Sequence, residues 1–164
     1  MPRAAPGQSD ASGNAFVAGR TESPNFPTTA GVFDDSYNGG RDAFLTKVIP
    51  TGKNVAFSTF VGGGGEDETG GVILDADGMP VVTGWTTSPD FPTTLRSCQP
   101  RSGGNYDAYV YRLSVAGDRL LFGSYHGGMY PDYGRGIGID ATGSVHVGGY
   151  ESAATTDLFS FRLP

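Results

Sequence analysis

The sequence predicts an all-β chain assembled from repeated four-stranded antiparallel units. Glycine makes up 27 of the 164 residues, well over its usual share of about 7%. That excess suits many tight turns between short strands. The apolar runs are short, rich in β-branched and aromatic residues and bounded by turn residues, and none sustains a helical period. The chain also repeats itself. "SPNFPTT" at 23–29 returns as "SPDFPTT" at 88–94, a shift of 65 positions.

The same shift carries Asp10 to Asp75 and Asp140, Gly13 to Gly78 and Gly143, and Gly19 to Gly84 and Gly149. It also relates Asp42 to Asp107, Gly52 to Gly117, Gly62 to Gly127 and Asp67 to Asp132. This self-similarity divides the chain into copies at 10–74, 75–139 and 140–164, preceded by a segment, 1–9, read as disordered. The third copy keeps the offset as far as Gly149 and then drops fifteen residues, the whole "SPxFPTT" segment, so that Asp157 follows Asp107 by 50. A segment that one copy can lose is expected to be a surface loop.

Strands are expected near 15–20, 42–49, 54–61, 71–75, 80–85, 107–114, 119–126, 136–140, 145–149 and 157–163. "ADGM" and "VAGD" supply the turns between them, with glycine where φ must be positive. Four antiparallel strands (a to d) in a unit of this length are the signature of a propeller blade. The fold class is therefore an all-β propeller fragment of about two and a half four-stranded antiparallel blades, starting in strand b and ending in strand c, short of the four to eight blades that close a ring. It is expected to join further blades or copies of itself, since open sheet edges invite aggregation. Strand c, "AFLTKV", "AYVYRL" and "LFSFRL", aligns Phe44, Tyr109 and Phe159 and is apolar on both faces, as in a sheet held between neighbours. Lys47, Arg112 and Arg162 also align. They read either as a repeated anion site or, as favoured here, as basic stems lying along the sheet with their heads near an Asp.

The combination D-x-x-G-N, G-x-T-x-S-x-x-F-P-T-T, D-A-F and G-G-x-x-x-D occurs in "DASGNAFVAGRTESPNFPTT", "DAFLTKV", "FSTFVGGGGED" and "VILDADG". It resembles the bacterial seven-bladed β-propeller repeat family (SBBP repeats) over nearly everything after residue 9. Copy three departs from it, lacking F-P-T-T and replacing D-A-F with "DLF". The resemblance implies repeated blades in secreted or cell-surface proteins and partners that are proteins or glycans there. It implies no particular activity.

Alternating strands put the "SPxFPTT" b–c loops and the "GGGGEDE" and "GGMYPDY" d–a loops on one rim. The Phe at 26 or 91 is expected to tuck under the blade edge, with the prolines stiffening the return. Asp10, Asp75 and Asp140 head hairpin turns and read as structural acceptors of backbone N–H groups. "DADG" hints at calcium but lacks the downstream Glu of an EF-hand loop. Glu66, Asp67, Glu68 and Asp132 are expected in the glycine-rich d–a loops near the central axis. Paired carboxylates there could serve acid–base chemistry on a sugar, or cation or glycan binding, although repetition of Asp67 as Asp132 favours structure. Trp85 aligns with Arg20 and Tyr150. That varied rim position makes it the first candidate for an aromatic that stacks on a ligand, the alternative being a core aromatic. Tyr130 and Tyr133 would complete such a patch. Cys98 aligns with Phe33 and is expected to be a small buried hydrophobe.

Other classes find little support. His126 and His146 have no partner at metal-ligand spacing and read as packed or edge residues. "GGGG" at 62–65 has no phosphate-loop Lys, and no nucleophile motif is present. The expectation is a non-enzyme with no catalytic residues and no cofactor. A net charge of −6 argues against nucleic acid or an anionic membrane. No apolar run reaches the roughly 18 residues of a membrane span. "MPRAAPGQS" lacks an apolar signal-peptide core, so either the protein stays inside the cell or its true N-terminus lies elsewhere.

Overall fold

A computed structural model of the chain describes residues 3–4, 7–151 and 158–162. Among these there is no helix. The strands are β1 (Arg3–Ala4), β2 (Gln8–Ser9), β3 (Ala15–Thr21), β4 (Asp42–Val48), β5 (Val55–Val61), β6 (Asp67–Leu74), β7 (Pro80–Thr86), β8 (Asp107–Leu113), β9 (Leu120–His126), β10 (Asp132–Ile139), β11 (Ser144–Glu151) and β12 (Leu158–Arg162). They form three antiparallel sheets, one per unit: β1-β3-β4-β5 with β2 also on β3, then β6-β7-β8-β9, then β10-β11-β12.

Within the first nine residues, the described pairs 3–4 and 8–9 depart from expectation. Arg3 pairs with Arg20, Ala4 with Gly19, Gln8 with Phe16 and Ser9 with Ala15. Shifted by 65, these are the pairs Glu68–Trp85, Thr69–Gly84, Ile73–Val81 and Leu74–Pro80 of the second sheet. The segment read as disordered therefore contributes strand a of the first unit in the register of its neighbour. Its sequence hides this, because "RAAPGQS" carries no alternation and two breakers; the ladder is supplied by β3.

Strand a also begins earlier than its apolar run. β6 starts at Asp67 and β10 at Asp132, so both residues, together with Glu68 and Tyr133, stand on strands rather than in loops. Polar "DETGG" looks like a turn, but each strand bends through a bulge, at Thr69/Gly71 and at Gly134/Gly136.

The core lies between sheets. Phe16, Leu45, Phe57 and Val61 of the first unit meet Val72, Val82, Tyr109 and Tyr111 of the second. Val81, Val110 and Phe122 on the opposite face meet Val145 and Val147 of the third. Strand β7 is buried at every position, and its alternate side chains serve the two different interfaces. The aligned basic residues lie as the favoured reading had them: Lys47 Nζ is 3.3 Å from Asp10, and the Arg112 guanidinium pairs with Asp75. In the third unit Asp140 meets His146 at 3.0 Å. The side chains of Phe159 and Arg162, and all of Asp157, lie outside the described residues.

The b–c loops run along the outer edges of strands d. Thr29 N donates to Ser58 O and Phe60 N to Asp34 O; one repeat later Thr94 N donates to Gly123 O and Tyr125 N to Gln99 O. A proline-rich segment cannot be a strand, yet it satisfies edge groups that would otherwise be open to another chain.

Cys98 is exposed, contrary to expectation. Its counterpart Phe33 is covered because the following unit brings its c–d turn against it: Phe33 N donates to Gly117 O at 2.8 Å. The equivalent turn for Cys98 would follow β12, beyond the described residues. Cys98 should therefore react with a thiol reagent in the native protein almost as fast as in denaturant. Protection of more than about a hundredfold would contradict its position.

Candidate functional site

The rim where b–c and d–a loops meet is built around repeated buried carboxylates. Asp67 is fully buried. Its Oδ1 accepts from the Thr86 hydroxyl, and its Oδ2 accepts from Ser88 Oγ and Gly63 N at 2.9 Å each. Thr87 and the start of the "SPDFPTT" phrase clamp the same crossover: Gly64 N donates to Asp90 Oδ1, Gly65 N to Ser88 Oγ and Glu66 N to Thr87 Oγ1. In the second unit the phrase thus fastens the crossover from the first, and its Phe fastens the phrase itself. Phe91 is 3% exposed and stacks on Tyr109 at 4.4 Å; Phe26, half-buried, lies 4.4 Å from Phe44.

Asp42, Asp107 and Asp132 act in the same way. Asp42 accepts from Asn38 N, Asp107 from Gly103 N, Gly104 N and Ser102 Oγ, and Asp132 from Gly128 N. Asp107 and Asp132 crowd the same side of Gly127, 2.4 and 2.6 Å from where a Cβ would stand. This pair lies under the loop backbone.

Burial pushes the Asp67 carboxyl up to about 6, against the lowering effect of its Thr86, Gly63 and Ser88 hydrogen bonds. Burial also raises Asp42. Asp10 moves the other way, down to about 2, chiefly through the Asn14 amide, and Asp140 falls well below the carboxylate range through Thr142 and His146. The signs predict a stability maximum in mild acid. A carboxyl raised on folding binds its proton more tightly in the native state, so Asp67 favours folding as pH falls from about 6 to the unfolded value of 3.8, and the raised Asp42 acts in the same direction. Asp10 and Asp140 contribute stability above that unfolded value and lose it as pH falls further. The melting temperature should therefore be higher at pH 5 than at pH 7 and fall below pH 4. For Asp67 the difference between pH 5 and pH 7 is on the order of 1 kcal/mol. Asp67→Asn should flatten the upper limb; an unchanged limb would remove Asp67 as its source.

The turn aspartates each accept backbone N–H groups: Asp10 from Ser12 and Asn14, Asp75 from Asp77 and Met79, Asp140 from Thr142 and Ser144. Among the described residues no three His, Cys, Asp or Glu side chains converge as a metal site requires. No helix there is long and apolar enough to cross a membrane.

The rim aromatics partly gather. Trp85 is 7% exposed and lies 5.3 Å from Tyr106 and 5.7 Å from Tyr133, and Tyr133 lies 4.9 Å from Tyr150. Its indole is thus packed among rings between the second and third sheets, and Nε1 is buried with no hydrogen-bond partner. Asp132 adjoins the cluster in sequence but is turned to its own loop. Tyr130 is 54% exposed. Sequence reasoning missed Tyr106, which precedes β8, and Tyr150 as a partner of Tyr133. Glu66 and Glu68 meet no second acid; they pair with arginines. Arg41 Nη1 is 3.4 Å from Glu66 and 3.8 Å from Glu68, and Arg20 Nε is 3.5 Å from Glu68. The variation of Arg20, Trp85 and Tyr150 at one repeat position was the available signal that the axis-facing chemistry differs from unit to unit.

No protein-family model matches the chain, and no curated protein matches it.

Proposed function

We propose that the chain is a run of β-propeller blades of the bacterial seven-bladed repeat type, serving as a non-enzymatic scaffold or adhesion surface of a secreted or cell-surface protein. Stacked sheets whose strands a approach one another, β6 against β10 and β2 against β6, support the blade reading. Its partners are further blades of the same kind, a second copy, or a protein or glycan at the cell surface.

One observation carries the non-enzymatic reading. The repeated carboxylates that resemble an acid–base pair hold backbone N–H groups of the loops, at matching positions in successive units. Catalysis needs unlike groups converging on a point accessible to substrate, and identical groups at equal spacing instead distribute around an axis. Such a surface gains affinity through avidity. The test is a panel of glycosides and polysaccharides incubated with the full chain. No turnover is expected. Sugar release that disappears in Asp67→Asn or Asp132→Asn would overturn the reading.

A second reading, glycan binding at the rim, is favoured by the Trp85–Tyr133–Tyr150 cluster. There the exposed Tyr150 and Tyr130, with Glu66 and Glu68, would meet the ligand, and Trp85 would hold their frame. Glycan-array binding lost on Tyr150→Ala with the fold intact would promote it over the scaffold. Calcium titration of the same protein separates a cation-dependent surface from both.

A further inference from the structure

We infer that a cavity lined by Arg3, Arg20 and Arg135 binds an oxyanion group, a carboxylate, sulfate or phosphate, either free or carried on a small sugar. The cavity, about 200 Å³, opens between β1, β3, β6 and β10, where the three strands a approach one another, and Glu68, Thr69 and Gly70 complete its wall. Its lining thus draws on three arginines and one glutamate, in a chain whose net charge is −6. The local excess of positive charge runs against the average of the molecule.

The lone carboxylate does not balance this excess. Glu68 Oε2 is 3.5 Å from Arg20 Nε and also 3.8 Å from Arg41 Nη1, so its charge is shared with a cation outside the cavity. Arg41 in turn is shared with Glu22 and Glu66. Arg20 Nε and Nη1 are both buried and make no hydrogen bond. A guanidinium stripped of water on two donors is costly unless an acceptor meets it. Arg3 and Arg20 are direct cross-strand partners, and like charges in that relation repel. At the same register the other units place Glu68 opposite Trp85 and Tyr133 opposite Tyr150. The doubled arginine is therefore no requirement of the repeat.

The third arginine is held in place in advance. Arg135 Nη2 donates to the Tyr150 hydroxyl at 3.0 Å, and its guanidinium lies 5.3 Å from the Tyr133 ring centre and 5.4 Å from that of Tyr150. Stacking and a hydrogen bond fix the plane of the fork, so little side-chain entropy is lost when it meets an oxyanion. A tetrahedral or planar oxyanion accepts several N–H donors at once and neutralises the opposed pair.

The experiment is calorimetric titration of the full chain with sulfate, phosphate, glucuronate and glucose at constant ionic strength. Saturable binding of at least one anion is expected, with a dissociation constant of roughly millimolar order, and none of glucose. Preference for glucuronate would identify the sugar-borne group, and preference for sulfate or phosphate the free ion. Arg135→Gln, on an exposed side chain, should weaken binding about tenfold, and Arg20→Gln should abolish it. Arg101→Gln, far from the cavity, should change nothing. Arg3→Ala supplies a second readout: it should raise the melting temperature without anion and reduce the rise that anion produces. Absence of saturable binding, or binding indifferent to both Arg20→Gln and Arg135→Gln, would overturn the inference.

Discussion

Gly84→Ala is expected to lower stability by about 3 kcal/mol or more, among the largest effects available to a single methyl group here. A Cβ at Gly84 would stand 1.9 Å from the backbone oxygen of Glu68 and 2.6 Å from the Tyr109 hydroxyl. Neither neighbour can yield cheaply. Glu68 O belongs to β6 just before its bulge and accepts from that same Tyr109 hydroxyl, which is fully buried. The repeat restates the constraint: Gly19 faces Arg3 O at 2.2 Å and Gly149 faces Tyr133 O at 2.0 Å. In each unit strand a presses against strand b where only hydrogen fits. Gly78→Ala makes the contrast, since Gly78 has φ +73° and open space around it. Its cost should be the ordinary turn penalty of about 1 kcal/mol. Denaturant midpoints measure both. A Gly84→Ala protein within about 1 kcal/mol of the parent would mean that β6 and β7 are not this close.

Phe91→Ala is expected to cost about 3–5 kcal/mol. The ring is 3% exposed, stacks on Tyr109 and lies edge-on to Tyr125 at 5.9 Å, inside the core shared by the first two sheets. Its loss opens a cavity and also frees the b–c loop, whose Thr94 and Gln99 backbones bond the edge strand β9. Limited proteolysis between 92 and 106 should accelerate along with the loss of stability. Phe26→Ala, at the equivalent but half-buried position, should cost distinctly less. Equal costs at the two sites would show that intersheet packing does not distinguish them, because the second unit is covered on both faces and the first on one.

The strand centres from β3 to β12 and the aspartate-headed turns were legible because their signals are local. Alternating or continuous apolar runs, and glycine with positive φ three residues after an aspartate, depend on neighbours within one hairpin. The 65-residue offset then carried each reading from one unit to the next, and the equal registers of Thr69–Gly84 and Ala4–Gly19 show how far that offset reaches. What stayed hidden depends on partners distant along the chain. Strand a of the first unit is a strand because β3 offers a ladder, and nothing in "RAAPGQS" announces it. Asp67 read as a rim candidate for binding, with its repetition as Asp132 favouring structure; that Thr86, Ser88 and Gly63 close around it is visible only in the fold. Cys98 shares a repeat position with Phe33 but not its surroundings, since burial there comes from the next sheet's turn. The arginine cavity has no linear signature at all, because Arg3, Arg20 and Arg135 belong to three different strands. Periodicity and turn chemistry act between near neighbours, so they can be read along the chain. Burial, charge balance and exposure are sums over everything that folding brings close, and they take their values when the sheets stack.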